Sequence, residues 1–290
     1  MKEAPPPGAV HDRNRQYLIG FAVSSASPAV AALVTNPVEV AKVRQQTGGP
    51  ESARRGMLGN IMHAGRTQGI SGVQAGLEMA MLREASKAFF RIGCFQPFLD
   101  QIHDPAAGPA PAVKRLAAGM CSGATAALVC NPIELVKTRQ QGEAAFGYRG
   151  PLDGLRKLHA SEGMLGMWRG TGVSMARSAA VTGPHLTVYS LTKEGGLSSG
   201  LLADASPLHM LASLAGAFAG VACNQPFDTV RNRLYNRPDE YAGAIDCARK
   251  TVAADGLFGL YRGFWAHYTR VGPHYVITFV VLEKLRQLFR

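Results

Sequence analysis

Three copies of one acid–base pattern carry the first chemistry this sequence offers. Pro37-Val-Glu39-Val-Ala-Lys42-Val-Arg44-Gln-Gln46 recurs as Pro132-Ile-Glu134-Leu-Val-Lys137-Thr-Arg139-Gln-Gln141, and again as Pro226-Phe-Asp228-Thr-Val-Arg231-Asn-Arg233-Leu-Tyr235. The prolines are 95 and 94 residues apart. On a helix, an acid and a base three residues apart share a face. One copy would read as an ordinary surface pair worth roughly a few tenths of a kcal/mol. Three copies at matched depth around an axis can instead close a ring of opposite charges, a device that makes and breaks ion pairs.

A second set is Arg83, Arg177 and Arg270, spaced 94 and 93 residues apart. Each lies seven residues past the last glycine of another repeated motif. That motif is Glu162-Gly163…Gly166-x-Trp168-Arg169-Gly170 and Asp255-Gly256…Gly259-x-Tyr261-Arg262-Gly263, with a degraded copy at Gln68-Gly69…Gly72-x-Gln74-Ala75-Gly76. Guanidinium forks match carboxylates in bidentate fashion, so a ring of them calls for visiting anions. The competing reading is internal pairing or outward snorkelling. Glu84 adjoins Arg83, but neighbours in sequence do not share a helix face, and no cancellation of Arg83 by Glu84 is expected.

The elements that must hold these residues follow from where charge is missing. Residues 17–38, 116–133 and 205–227 contain no Asp, Glu, Lys or Arg. A membrane span needs roughly 20 mostly apolar residues. Gly119-x-x-x-Gly123 and Gly216-x-x-x-Gly220 supply the small residues that let membrane helices approach. Between these runs lie apolar segments near 77–101, 172–193 and 264–288 that each carry arginine. An arginine within the membrane belongs on a polar interior. Segments near 54–68, 148–162 and 241–255 mix charges with spaced apolar residues, as interfacial helices do. Each unit thus reads as an uncharged helix, an amphipathic helix and an arginine-bearing helix, with boundaries at 12–104, 112–197 and 206–290. Residues 1–11, with Pro5-Pro6-Pro7, read as a flexible tail with no cleavable presequence.

Composition narrows the classes further. The 290 residues carry 31 Lys+Arg against 20 Asp+Glu, a net +11, yet only 18 % are charged. A hydrophobic fraction of 47 % excludes disorder, and five cysteines without C-x-x-C spacing exclude a disulfide scaffold and give no metal site. The excess of bases leaves nucleic acid, anionic membrane or anionic small molecules as partners. Nucleic-acid binding would need bases on one exposed face with stacking aromatics, whereas here they cluster at the proline motifs and at single midhelix positions. Gly196-Leu-Ser198-Ser-Gly200 matches a nucleophile elbow, but it lies in the linker between repeats instead of between a strand and a helix.

With its signature present three times, the sequence resembles the mitochondrial carrier family over essentially the whole chain. The resemblance implies an all-α membrane protein of six transmembrane helices in three tandem repeats, with pseudo-three-fold symmetry and three short matrix helices. It also implies a monomeric, multi-pass transporter of the mitochondrial inner membrane, without enzymatic activity or cofactor, working by alternating access. Carried over residue by residue, the matrix gate is Glu39–Lys137, Glu134–Arg231 and Asp228–Lys42, braced by Gln46, Gln141 and, as a phenol in the third position, Tyr235. The opposite gate departs from the family pattern: its contacts become Gln96–Lys193, Ser190–Arg286 and Glu283–Leu99, none fully ionic. Cardiolipin is an implied partner, held at helix N-termini by Gly163, Gly170, Gly256 and Gly263. Repeat one lacks the aromatic and the base of that motif.

Phe90-Arg91-Ile-Gly93 and Arg270-Val-Gly-Pro273-His274 resemble the oxoglutarate, dicarboxylate and uncoupling branch, and Arg233-Leu-Tyr-Asn236-x-Pro238 its oxaloacetate-carrier-like subgroup. The implied cargo is a small dicarboxylate such as oxaloacetate, malate or oxoglutarate, moved by exchange or with a proton. Arg91, Arg177 and Arg270 would bind carboxylates, with Arg83 and Ser178 as further contacts and His274 read as a packing histidine. Uncoupling-type proton leak or another anion (phosphate, sulfate, an acidic amino acid) stays open as the rival. The weak outer gate predicts a resting state open to the intermembrane space. Impermeant reagents should therefore inhibit better from that side, and equal or better inhibition from the matrix side would contradict it.

Overall fold

The computed structural model describes residues 7–104, 108, 110–143, 146–198 and 206–288. Among them there is no strand. Six long helices dominate: α1 (Pro7–Thr47), α4 (Leu77–Ile102), α5 (Ala112–Gln141), α7 (Thr171–Ser198), α8 (Ser206–Asn236) and α10 (Phe264–Leu288). At 1.5 Å per residue, even the 25 residues of α10 exceed the roughly 30 Å of a hydrocarbon core. Between them lie the short α2 (Pro50–Arg54), α3 (Gly56–Val73), α6 (Pro151–Met167), α9 (Ala244–Asp255) and a 3₁₀ turn at Leu257–Tyr261.

Each long helix packs on the next, α1 on α4, α4 on α5, α5 on α7, α7 on α8 and α8 on α10, and α10 returns to α1. The result is a closed, all-α ring built in three repeats. The helix α1 begins at Pro7, so residues 7–11, read from sequence as part of a flexible tail, are helical, while residues 1–6 lie outside the described residues.

The ring is apolar outside and polar within. Leu33, Val34, Phe89, Leu128, Val129, Leu211, Leu214, Phe218, Trp265, Val276 and Val280 are exposed, whereas Glu39, Lys42, Glu134, Lys137, Asp228 and Arg231 are buried. Water would favour the reverse distribution, and a lipid surrounding would favour this one. By plain hydropathy only Ala112–Gln141, among the described helices, is apolar enough to count as a span.

The three amphipathic helices end alike. Gly69, Gly163 and Gly256 have φ of 66°, 69° and 69°, with open space where a Cβ would sit. The backbone there requires glycine for its conformation alone. Seven residues on, Gly76, Gly170 and Gly263 again take positive φ, and here space is short too: a Cβ on Gly170 would meet the Tyr235 ring at 2.8 Å. At the start of α6 and α9 the same device recurs, with Asp153 accepting the Arg149 N–H at 2.8 Å and Asp246 accepting the Ala242 N–H at 3.0 Å. The Arg149 N–H holds the Asp153 carboxyl below its ordinary range.

Gly170→Ala should lower the thermal midpoint of the detergent-solubilised protein, since left-handed backbone and a ring contact both oppose a methyl, at a cost of about 1–3 kcal/mol. Gly172→Ala, at a helical position with nothing within 4 Å of the added methyl, should leave it equal or higher. Equal effects from the two substitutions would overturn this account.

Candidate functional site

Counting the six long helices in chain order, the odd ones are α1, α5 and α8 and the even ones α4, α7 and α10; each odd helix brings its acid and base to the ring interior on one face near its C-terminal end. There Lys42 Nζ lies 2.7 Å from Asp228, Lys137 Nζ 2.6 Å from Glu39, and Arg231 Nη1 2.7 Å from Glu134. These are the inter-repeat pairings expected from sequence. Arg231 also bonds Asp228 of its own helix at 2.9 Å, so the third pair is not isolated from the first. The six side chains are at most 6 % exposed. Desolvation on this scale is offset only by close pairing, which is why each acid has a cation within hydrogen-bond distance.

The bracing residues behave differently from one another. Gln46 Nε2 donates to Asp228 at 3.4 Å and to Thr229 at 3.3 Å, beside the Lys42–Asp228 pair. Gln141 instead donates to Asn36 Oδ1 at 2.9 Å, and the Tyr235 hydroxyl donates to Asn131 Oδ1 at 2.6 Å. Both side chains tie to the preceding repeat instead of to the ion pair assigned to them. The reason is that Asn36 and Asn131, each just before its helix's proline, present an acceptor within closer reach. Tyr235 still meets the ring through its face, with the Arg231 guanidinium 5.6 Å from its centroid.

Asn36, Asn131 and Gln225, missed in the sequence reading, recur directly before all three prolines. Asn36 bonds Gln74 Oε1 and the Ala75 carbonyl; Asn131 bonds the Met167 and Arg169 carbonyls; Gln225 bonds the Arg262 carbonyl. Each side chain fastens its odd helix to the start of the following even helix. The second base of each motif adds a cyclic link. Arg44, Arg139 and Arg233 donate Nε to the main-chain carbonyls of Gln141, Tyr235 and Gln46 in turn. Their other nitrogens reach Gln68, Glu162 and Asp255 at the ends of the amphipathic helices.

Above this layer lies a cavity of about 410 Å³. Arg83, Arg91, Arg177, Arg270, Ser178 and His274 all line it. The helix register explains the convergence, since all four arginines lie on the inner stripes of even helices, and Arg91 is two turns beyond Arg83. The three aligned arginines are not equivalent. Arg83 is pinned by Glu134 at 3.2 Å and by Glu84, with Glu39 at 4.0 Å. The pairing with Glu84 corrects the expectation from sequence: a guanidinium on a three-carbon stem reaches around the helix to its neighbour, although the two Cβ atoms point apart. Lys87, an ionisable residue of the same segment to which the sequence assigned no role, lies 2.5 Å from Glu134. In contrast, Arg177 comes no nearer to Asp228, and Arg270 no nearer to Glu39, than 4.0 Å, and the Nε of each finds no acceptor. Ser178 donates to the Ser174 carbonyl at 3.0 Å, and His274 Nδ1 meets Thr35 Oγ1 at 3.2 Å, a helix-packing contact.

At the other end, Gln96 spends its amide on Asp100, one turn along its own helix, at 2.7 Å. Ser190 and Glu283 are exposed, Lys193 lies partly buried on α7, Leu99 lines a shallow pocket beside Gln96, and the Arg286 side chain lies outside the described residues. The glycines expected to hold lipid, Gly163, Gly170, Gly256 and Gly263, share positive φ with Gly69 and Gly76 of repeat one. The backbone motif is therefore intact in all three units even where the aromatic and the base are missing.

A family model described as mitochondrial carrier protein matches residues 13–104, 108–199 and 204–290. The kidney mitochondrial carrier protein 1 of Xenopus laevis is 32 % identical, over 88 % of this chain and 92 % of its own. A probable mitochondrial 2-oxoglutarate/malate carrier protein of Dictyostelium discoideum is 30 % identical, over 95 % of this chain and 90 % of its own. The mitochondrial brown fat uncoupling protein 1 of Canis lupus familiaris is 29 % identical, over 93 % and 91 %.

Glu134 anchors Arg231, Arg83 and Lys87 at once, so Glu134→Gln should strand buried cations and cost about 3–5 kcal/mol, read as a lowered thermal midpoint in detergent. Adding Lys87→Met should recover part of the loss. A single variant as stable as the parent would show that the three contacts are not coupled to folding.

Proposed function

This chain belongs to the mitochondrial carrier family, and on that premise we propose that it moves a small dicarboxylate across the mitochondrial inner membrane by alternating access. One observation carries the reading: Arg177 and Arg270 line the cavity with donors that no protein acceptor satisfies, directly above a closed ring of ion pairs. Buried guanidinium donors left unpaired are costly, and a substrate carboxylate on each would relieve both. The cavity and the ring below it together hold Lys42, Arg83, Lys87, Arg91, Lys137, Arg177, Arg231 and Arg270 against the carboxylates of Glu39, Glu84, Glu134 and Asp228, an excess of four positive charges, which suits a divalent anion.

In this reading the ring is the matrix gate. A substrate bridging Arg177 and Arg270 draws them away from Asp228 and Glu39, weakening the attraction that holds the ring shut, so binding energy is spent on opening. Arg91 meets the anion first, two turns nearer the mouth, and Arg83 stays with Glu134 and Glu84. The opposite gate is weak, with Gln96, Ser190, Lys193, Glu283 and Arg286 closing it only when the ring is broken. Gly163, Gly170, Gly256 and Gly263 hold cardiolipin phosphates through helix N-termini. Exposed apolar residues at matched positions, Leu58, Leu152 and Ile245, then sit in the membrane interface. The carrier works as a monomer, since its path is complete within one chain.

Uptake into liposomes loaded with malate, oxoglutarate, oxaloacetate, sulfate or phosphate tests this directly. Dicarboxylate exchange should appear in the parent and fall at least tenfold in Arg177→Ala and in Arg270→Ala, a loss of about 1.4 kcal/mol or more. Unchanged transport in both variants would remove these arginines from the site, and proton leak without any anion exchange would favour an uncoupling carrier.

A further inference from the structure

The positions one turn above the gate acids repeat across the three odd helices: Thr35 before Glu39, Cys130 before Glu134 and Asn224 before Asp228. The gate below them repeats with near-identical residues, but this level does not. A substrate without three-fold symmetry can be recognised only where the three repeats differ, so this level is where the protein distinguishes one small anion from another.

Two of the three side chains are already committed or weak in hydrogen bonding. Thr35 donates to the Ala31 carbonyl at 3.0 Å and meets His274 at 3.2 Å. Cys130 is a buried thiol, a poor acceptor. Asn224 differs: it lines the cavity, is 2 % exposed, and its Oδ1 has no hydrogen-bond donor. The unpaired Nε atoms of Arg177 and Arg270 border the same cavity and do not reach it. The site therefore holds two groups waiting for anionic oxygens and one buried carbonyl oxygen waiting for a donor.

We infer that Asn224 is a specificity-determining residue, its carbonyl oxygen accepting a hydrogen bond from a hydroxyl on the carbon chain between the two carboxylates of the substrate. A hydroxyl suits this acceptor better than an ammonium would, because the cavity already carries excess positive charge. A ketone at that carbon would place an acceptor against an acceptor, and an unsubstituted methylene would leave the Asn224 oxygen unpaired. Sites that hydrogen-bond a substrate hydroxyl reject analogues lacking it because the buried polar partner is stranded. The inference rests on the dicarboxylate reading and adds to it the order of preference within that class.

Malate and succinate share both carboxylates and chain length and differ by one hydroxyl, and oxaloacetate replaces that hydroxyl by a ketone. Initial rates in proteoliposomes should favour malate over succinate, and over oxaloacetate, by about tenfold in kcat/KM for the parent protein. Asn224→Ala should bring the malate-to-succinate ratio close to one, and Asn224→Ser, which keeps an acceptor, should retain part of it. Asn224→Cys, the residue α5 carries at this level, supplies a second variant close in size with a poor acceptor, and should also bring the ratio close to one. A parent ratio near one, a preference for the ketone, or a ratio unchanged in Asn224→Ala and Asn224→Cys would overturn the inference while leaving dicarboxylate transport in place. Absence of uptake for all three dicarboxylates would instead overturn the transport reading, and this inference with it.

Discussion

Burying three carboxylates near the axis of a helical ring is the constraint on which the rest of this structure depends. Glu39, Glu134 and Asp228 lie where water is scarce, and an unpaired carboxylate there would cost several kcal/mol. Each must therefore meet a cation from another helix. Satisfying all three together requires the odd helices to converge, which closes one end of the path. The same demand explains the second bases, Arg44, Arg139 and Arg233, whose links between repeats and to the amphipathic helices keep that convergence in register.

On the transport reading proposed above, a charge ring of this kind serves as a gate because it can be opened. Attraction between the pairs is offset by desolvation, so modest competition from a visiting anion can shift the balance. On the same reading, the arginines above the ring, 4.0 Å from the carboxylates and not bonded to them, are the groups that receive the anion. Arg83 is the exception, held by Glu84 and Glu134, and with Lys87 it makes the Glu134 corner more heavily tied than the others. Three repeats that match in backbone are thus unequal in electrostatics.

The surroundings invert the usual soluble arrangement for the same reason. A polar path through lipid must turn its charges inward, leaving Leu33, Val34, Phe218, Val276 and other apolar side chains outside. Small residues let the helices approach: a Cβ on Gly216 would meet the His185 carbonyl at 2.7 Å, and one on Gly220 would meet the His185 side chain at 3.3 Å, where α8 packs on α7. Glycine adds almost nothing to the hydropathy of such helices, and its contribution is close packing.

Much of the fold and of the site was legible in the residues alone. A repeat near 94 residues, the acid–base spacing and the aligned arginines are periodic signals, and a periodic sequence can only be stacked in equivalent ways, so the ring and its pairs followed from spacing together with the family resemblance. Contacts between neighbouring side chains did not follow. Gln141 and Tyr235 chose Asn36 and Asn131, Arg83 turned to Glu84, and Lys87 joined Glu134, because long side chains select among partners separated by an ångström or two. Those separations are set by how the helices tilt and pack, which no one-dimensional spacing encodes. The sequence by itself determined that charges would converge; only the tertiary structure decided which donors, at Arg177 and Arg270, and which acceptor, at Asn224, would be left unpaired at the centre.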